Sequence, residues 1–413
     1  MKTIKENNMK DTKKSNSVAI GAAFLMATSA IGPGFLTQTS NFTATYMASF
    51  AFVIFFVIIA DMIAQTNVWS IIGASGLRGP EIANKVLPGL GVALVVMVAI
   101  GGLAFNIGNV GGVALGLDAL LGLNEKVGAT LAGIIGICIF LSKSGNKIVD
   151  MVAKACGAVI IVVMLIVCFT SKPPVVDAAV HIFTPENPTA LIPVMVTLIG
   201  GSCGGYITFS GAHRLLDAGN GGSPEDVGFF RKSVLTGITV SGTVRVLLFL
   251  SVLGICTAGG AAAAEAIKSA SNPAAAAFEL ALGTFGLKLF GLALFAAGIT
   301  SVVGAAYTSV TFLATLHPFI KKNSNWFVIA FIAVSTVIMV VLGGAKRLVI
   351  LAGAINGVIL PVSLACMLLG CNKKEIVGEY KHPKWLAILG WIVVLITGYL
   401  AITTLPNIMN VFK

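Results

Sequence analysis

The chain has 413 residues, of which 57% are hydrophobic and only 10% are charged, and its formal net charge is +11 at pH 7. A soluble protein of this length needs far more charge to cover its surface, so the composition excludes an ordinary soluble class. Most Lys and Arg residues lie in short segments between apolar runs, without a basic stripe interleaved with aromatic residues, and no nucleic acid partner is expected.

Apolar segments of about 20 residues, the length that crosses a bilayer, follow one another along the chain. Residues 1–17 are polar and basic, and they predict a disordered cytoplasmic tail. Spans are then predicted at 18–46, 48–72, 90–121, 127–142, 148–170, 189–217, 232–257, 286–315, 325–343, 347–370 and 384–404. An Ala-rich stretch at about 260–283 predicts a short helix on the membrane surface. Residues 18–413 are therefore predicted to form one all-α transmembrane transporter domain of about eleven helices.

Basic residues are distributed unevenly over the predicted loops. With the N-terminus inside, the inner segments carry eighteen Lys and Arg residues and the outer segments carry six. This bias follows the positive-inside rule. We therefore predict a multi-pass protein of the cytoplasmic membrane with its N-terminus inside. The odd number of spans places the C-terminus outside.

The first and the sixth predicted spans contain glycine clusters near their middle. The first span holds Gly32-Pro33-Gly34, and the sixth holds Gly200-Gly201 and Gly204-Gly205. Glycine and proline at bilayer depth free backbone amides and carbonyls, which is tolerated only beside protein or a water-filled cavity. Broken helices at corresponding positions in two halves of a chain indicate the central site of a transporter.

The two broken segments also resemble each other. Gly34-Phe35-Leu36-Thr37-Gln38-Thr39 aligns with Gly205-Tyr206-Ile207-Thr208-Phe209-Ser210, and the two stretches lie five spans apart. This spacing predicts two inverted five-helix repeats, at about 18–170 and 189–370, with an extra helix at 384–404. Ordinary packing of small residues between helices is the alternative explanation.

Half-helix N-terminal ends favour anionic groups, and free carbonyls at half-helix C-terminal ends coordinate cations. Taken singly, a hydroxyl at such a break could equally bond to its own helix backbone. Taken together, the candidate substrate-binding residues are Gly32, Gly34, Gln38, Ser202, Gly204, Gly205, Tyr206 and Thr208.

Other polar residues occur at bilayer depth. Asn106 and Asn109, three residues apart on one helix face, are predicted to line a neutral hydrated cavity with Asn356, and interhelical hydrogen bonding is the alternative. Asp61 and Arg245 are the deepest charges, and either alone would be costly in the membrane. They are predicted either to pair and lock two helices or to compensate the charge of the substrate. An Arg facing the cavity would favour an anionic or zwitterionic solute.

From about Gly21 to Gly370 the chain resembles the natural resistance-associated macrophage protein (NRAMP) family of divalent-metal transporters. The resemblance rests on the two broken helices, on the third-span run Asn106-Ile-Gly-Asn109-Val-Gly-Gly-Val-Ala-Leu-Gly and on the eighth-span run Ser301-Val-Val-Gly304-Ala. It implies the LeuT-like fold and a secondary transporter that moves a divalent metal ion.

The chain departs from the family at the residues that would hold the metal. Gly32-Pro33-Gly34-Phe35 stands where the family has Asp-Pro-Gly-Asn, so both first-helix ligands are missing. Gly204-Gly205-Tyr206 stands where the family has Met-Pro-His, so the thioether that selects transition metals is also missing. Acidic third-span positions of the family align with Asn106 and Asn109, which predicts weak or absent proton coupling. The oxygen ligands that remain suit a partly hydrated hard ion such as Mg²⁺, although the resemblance leaves Mn²⁺ open as well.

Catalytic motifs are not found in the sequence. It contains no Walker motif, nucleophile elbow, Cys/His zinc pattern or paired catalytic carboxylates, so neither an enzyme nor a cofactor is expected. The primary hypothesis is an NRAMP-like divalent metal transporter. The alternative is a transporter of an amino acid or another small organic solute, because a Gly-x-Gly break can also expose amides to a carboxylate. A channel or a non-transporting receptor is the least favoured hypothesis.

Overall fold

The structure, a computed structural model, describes residues 30–142, 158–159 and 161–410, with the backbone alone for 405–410. Every element in these ranges is a helix. The first half contains α1 Pro33–Tyr46, a 3₁₀ turn Met47–Ser49, α2 Phe50–Ser75, α3 Gly79–Val86, α4 Leu90–Leu121, α5 Glu125–Leu141, α6 Ile161–Ser171 and α7 Val175–His181. The second half contains α8 Pro188–Cys203, α9 Ile207–Asp217, α10 Asp226–Ser269, α11 Pro273–Leu282, α12 Thr284–Leu313, α13 Pro318–Lys322, α14 Ser324–Leu342, α15 Ala345–Gly370, α16 Lys374–Val377 and α17 Lys384–Asn410.

The described helices confirm a multi-pass membrane protein. Eight helical units are long and apolar enough to cross a membrane, or nine if α6 and α7, which meet at 101°, form one bent span. This number is below eleven partly because Pro33–Ser75 forms one unit across the 3₁₀ turn and because α5 has only 17 residues. The predicted segments 18–29 and 148–157 lie outside the described residues. Eleven spans and the repeat boundaries therefore stay predictions.

The Ala-rich stretch differs from the single short surface helix that its composition predicts. α10 continues through it to Ser269, with a kink at Gly260, where φ is +64°. A separate helix, α11, follows and begins with the Asn272 side chain accepting a hydrogen bond from the Ala275 amide at 3.1 Å. α11 buries Phe278, whose ring stacks on Phe290 of α12 at 3.8 Å between centroids. The stretch is therefore packed against the bundle along one face.

Glycines allow the central helices to approach backbone to backbone. A Cβ placed on Gly200 in α8 would lie 1.8 Å from the Gly353 carbonyl oxygen in α15. A Cβ on Gly357 would lie 2.3 Å from the Val196 carbonyl oxygen. Small residues at such crossings are typical of membrane helix pairs. The second broken helix is therefore held tightly against α15.

A hydrogen-bonded chain fixes the loop before α17 to the end of α2. Arg231 Nη2 donates to the Tyr380 hydroxyl at 2.7 Å, and that hydroxyl lies 3.2 Å from His382 Nδ1. His382 Nε2 lies 2.8 Å from Asn67 Oδ1, and Asn67 Nδ2 donates to the Leu386 carbonyl at 3.1 Å. Burial, together with the positive charge of Arg231, lowers the pKa of His382 from 6.5 to about 4. His382 is therefore neutral near pH 7, with Nε2 as its donor and Nδ1 as its acceptor.

Candidate functional site

The first predicted helix break is present in the described part of the chain. Ala30 is helical, Ile31 and Gly32 form a bend, and α1 begins at Pro33. Gly32 has an extended backbone (φ −97°, ψ −174°), and no side chain caps the helix. Because the first amides of a helix have no partner within it, the N-terminal end of α1 presents free donors at this point.

The second break separates α8 from α9. α8 ends at Cys203, Gly204 is extended, and Gly205 has a φ of +55°, which favours glycine. A Cβ on Gly205 would lie 1.8 Å from Asn356 Oδ1, and one on Gly204 would lie 2.5 Å from the Asn356 carbonyl oxygen. Glycine is therefore required here both by the backbone and by the closeness of α15.

A neutral polar cluster faces the first break. A Cβ placed on Gly32 would lie 3.2 Å from Ser301 Oγ and 3.6 Å from Asn109 Oδ1. Tyr206, at the second break, lies near Asn109. Ser301 Oγ and Asn109 Nδ2 are buried, and neither has a hydrogen-bond partner within the described ranges. Gly32, Asn109, Tyr206 and Ser301 are hereafter the neutral cluster.

Ser301 was not among the residues that the sequence predicted for the site. A serine in an apolar helix resembles an ordinary packing residue. Only its place in the eighth-span run of the NRAMP resemblance marked it.

Gln38 of α1 and Asn356 of α15 both donate hydrogen bonds to backbone carbonyls of α15. Gln38 Nε2 donates to the Val349 carbonyl at 3.2 Å, and Gly34 lies one turn earlier, beside the same two residues. Asn356 Nδ2 donates to the carbonyls of Gly101 and Ala352, both at 2.9 Å. Gln38 Oε1 and Asn356 Oδ1 remain buried without a described partner. Gln38 Oε1 faces Gly201 of α8, and Asn356 Oδ1 faces Gly205 at the second break.

Two of the residues predicted for the site, Thr208 and Asn106, form hydrogen bonds with other parts of the protein. The Thr208 hydroxyl bonds to the Cys203 carbonyl and closes the second break locally. Asn106 Nδ2 donates to Ser335 Oγ of α14 at 3.1 Å, so Asn106 joins α4 to α14 and does not share the contacts of Asn109. The contact of Asn106 is therefore an interhelical hydrogen bond, which was the alternative to lining a hydrated cavity.

Arg245 and Asp61 are buried near each other but do not form a direct ion pair in the described part of the chain. Arg245 Nη1 donates to Ser202 Oγ at 2.7 Å, and its guanidinium carbon lies 4.2 Å from the centre of the Phe35 ring. Asp61 instead accepts a hydrogen bond from Gln65, one turn further along α2. Both charged side chains line one small cavity together with Phe35 and Ser202. The Arg245 guanidinium therefore contacts a residue of each broken helix, Ser202 of α8 and Phe35 of α1.

Two larger cavities lie at opposite ends of α14. The cavity near its C-terminal end has a volume of about 550 Å³ and extends from Lys346 and Arg347 down to Thr197 and Ala354. The cavity near its N-terminal end has a volume of about 530 Å³ and includes Arg78. According to the predicted orientation, the first cavity lies toward the outside and the second toward the cytoplasm.

The end predicted to face the cytoplasm is closed between α3 and α9. Arg78 forms an ion pair with Asp217, and the Gly79 amide donates to His213 Nε2 at 3.2 Å. The His213 ring is buried and stacks on Phe312 at 5.0 Å between centroids. His213 is therefore a packed interior residue.

The described residues contain no group of three or more His, Cys, Asp or Glu side chains that could hold a metal ion. Any cation at the breaks would be held by amide, hydroxyl and carbonyl oxygens.

Comparisons with known proteins identify the relatives of the chain. The profile of the family "Nramp: Natural resistance-associated macrophage protein-like" matches residues 23–406. The chain is 50% identical over 389 residues to the uncharacterized membrane protein YcsG of Bacillus subtilis, covering 94% of each. It is 48% identical to an uncharacterized membrane protein of Haemophilus influenzae, covering 97% of this chain and 98% of the relative.

More distant matches carry functional names. The divalent metal cation transporter MntH of Yersinia enterocolitica is 22% identical, with 91% of this chain and 92% of the relative covered. A crystal structure of a mutant manganese transporter of Eremococcus coleocola matches with a TM-score of 0.71 at 16% identity, covering 96% of this chain and 88% of that one. At this identity the structural match confirms the fold.

Proposed function

Because the chain belongs to the natural resistance-associated macrophage protein-like family, which matches residues 23–406, we propose that it is a secondary transporter of a divalent metal ion across the cytoplasmic membrane. Relatives named as divalent metal cation transporters support this proposal. The proposed cargo binds between the two broken helices, and the N-terminus lies in the cytoplasm.

The observation that carries the proposal is the neutral cluster. A Cβ placed on Gly32, at the start of α1, would lie 3.2 Å from Ser301 Oγ and 3.6 Å from Asn109 Oδ1. Ser301 Oγ has no described hydrogen-bond partner to compete with a ligand. Neutral oxygens of this kind suit a hard, partly hydrated cation such as Mg²⁺ or Mn²⁺. They lack the soft thioether that separates transition metals from Mg²⁺.

We propose that transport follows alternating access. The wide cavity at Lys346 reaches the level of Thr197, while Arg78, Asp217 and His213 close the other end. Rocking one group of helices against the other would open the closed end around a fixed site. Asn106 and Asn109 cannot exchange protons at physiological pH, so the third span contributes little or no proton coupling.

Uptake of radiolabelled manganese and of magnesium into proteoliposomes tests the proposal. Loss of one ligand oxygen to a charged cargo costs about 1.5–3 kcal/mol, so S301A should reduce apparent affinity on the order of 10-fold or more. S363A is the matched control, since Ser363 is also buried and lacks a described partner but lies outside the neutral cluster. Saturable uptake of an organic solute with no uptake of either metal would refute the proposed cargo. Acidification that depends on metal influx would refute the prediction of weak proton coupling.

A further inference from the structure

We infer that Arg245, Ser202 and Phe35 form an anion subsite between the two broken helices, and that the cargo carries a carboxylate group which binds there. The inference rests on the proposed function, because the carboxylate would cross the membrane together with the metal ion. We call these three residues the carboxylate subsite.

Arg245 has unused hydrogen-bonding capacity. A guanidinium has five N–H donors in a planar fork that fits a carboxylate with two parallel bonds. Only the bond from Nη1 to Ser202 Oγ, at 2.7 Å, is formed with a described residue, and Nε is buried without one. The side chain is 3% exposed. A buried charge with open donors is costly, and a carboxylate would satisfy both the charge and the donors.

Asp61 lies close enough to offset part of the charge of Arg245, but it accepts none of the hydrogen bonds that Arg245 forms with described residues. Its carboxylate accepts from Gln65 and lies beside Cys203, and Arg245 forms its bond to Ser202 instead. The cavity that Asp61 and Arg245 share has room for about one water molecule in this conformation. Phe35 and Ser202 belong to different broken helices, so separating α1 from α8 would widen the cavity for a ligand.

The subsite lies within reach of the neutral cluster. Phe35 follows Gly32 by three residues at the start of α1, which corresponds to about 5 Å along a helix. One small solute could therefore hold a metal ion near Gly32 and place a carboxylate on Arg245. A second carboxylate on the same solute would supply the negative charge that the neutral cluster cannot give to a divalent cation.

The predicted outer cavity favours the same cargo. Its mouth carries Lys346 and Arg347 against the single carboxylate of Glu125. Glu125 is already engaged by the Ala345 amide at 3.0 Å, while Arg347 is exposed and forms no ion pair in the described part of the chain. A net positive mouth repels a bare dication and attracts an anion, including a metal complex whose carboxylates outnumber the positive charges of the metal.

Double-label uptake into proteoliposomes tests the inference. Radiolabelled manganese is supplied alone and with acetate, malate, citrate, glycine or glutamate, each labelled in turn. We expect at least one of these carboxylates to enter and to raise manganese uptake several-fold. R245Q should abolish carboxylate uptake, and R245K, which keeps the charge without the fork, should weaken it roughly 10-fold or more. R214Q is the control, because Arg214 is an exposed arginine at the end of α9.

The outcomes separate the inference from the proposed function. Manganese uptake that needs no carboxylate and survives R245Q would overturn the carboxylate subsite and leave metal transport intact. Carboxylate uptake without manganese, abolished in R245Q and weakened in R245K, would support the subsite and refute metal transport. Thermal stabilisation of the purified wild-type protein by the same carboxylates is a second measurement, which does not depend on how well the variants fold. If none stabilises the wild-type protein and none enters, the inference is wrong.

Discussion

Replacing Gly205 by alanine should damage the second helix break in two separable ways. The φ of +55° places an L-residue in the left-handed region, which costs about 1–2 kcal/mol. The added Cβ would also lie 1.8 Å from Asn356 Oδ1, and forcing the two apart costs about 1–3 kcal/mol more. We therefore expect G205A to lose about 2–5 kcal/mol of stability, measured as a lower thermal unfolding temperature in detergent.

A matched glycine separates the two effects. Gly219 also has a positive φ, +81°, but its Cβ would meet nothing within 4 Å, so G219A should show the backbone cost alone. The double variant G205A/N356A removes the clash and should be more stable than the sum of its single variants by about 1–3 kcal/mol. Equal unfolding temperatures for G205A and G219A, or strictly additive effects in the double variant, would refute this account of the break.

Three further predictions concern other parts of the bundle. Because the pKa of His382 is about 4 when folded and 6.5 ordinarily, the unfolded chain binds the proton more readily, so stability should fall as pH drops from about 6.5 to 4 and H382Q should flatten that fall. D217N removes the half-exposed ion pair with Arg78 and should change stability by less than about 1 kcal/mol while altering the transport rate. G200A forces α8 away from α15, since the Cβ would lie 1.8 Å from a carbonyl, and should cost about 3 kcal/mol or more in thermal unfolding.

Each of these has a result that would contradict it. A pH profile of stability for H382Q that overlays the wild-type profile would remove His382 as the titrating group. Unchanged transport by D217N would show that the ion pair does not affect closure. For G200A, G304A is the control, because a Cβ on Gly304 meets nothing within 4 Å. If both variants unfold alike, close packing at Gly200 is not what stabilises the pair of helices.

The sequence predicted the two breaks because their cause is local. Gly32-Pro33 and Gly204-Gly205 interrupt apolar runs. Such a break can be predicted from these residues alone, without knowing which other helices they contact. The family resemblance was confirmed by the match to residues 23–406, and the all-helical membrane fold by the described helices and the structural match. These features follow from composition, period and short motifs.

Contacts between distant spans were harder to predict. Asn106 and Asn109 are three residues apart and were assigned to one face, yet residues at this spacing point about 60° apart around a helix. Asn106 consequently reaches Ser335 on α14, and Asn109 faces Gly32. Arg245 was assigned a possible partner in Asp61, but its hydrogen bond goes to Ser202, 43 residues away. Such choices depend on how helices are rotated, which apolar periodicity in a membrane protein does not fix.

The charges at the site point to where its selectivity originates. A family site with carboxylates attracts a dication by charge, whereas the neutral cluster offers Asn109 and Ser301 and has no negative group among its four members. The buried charges of Asp61 and Arg245 sum to zero, although the two side chains form no direct ion pair in the described part of the chain. The protein alone therefore supplies no net negative charge to a divalent ion in a medium of low dielectric constant, where an uncompensated charge is most costly. Compensation must come from the cargo, and Arg245 is the side chain placed to recognise it.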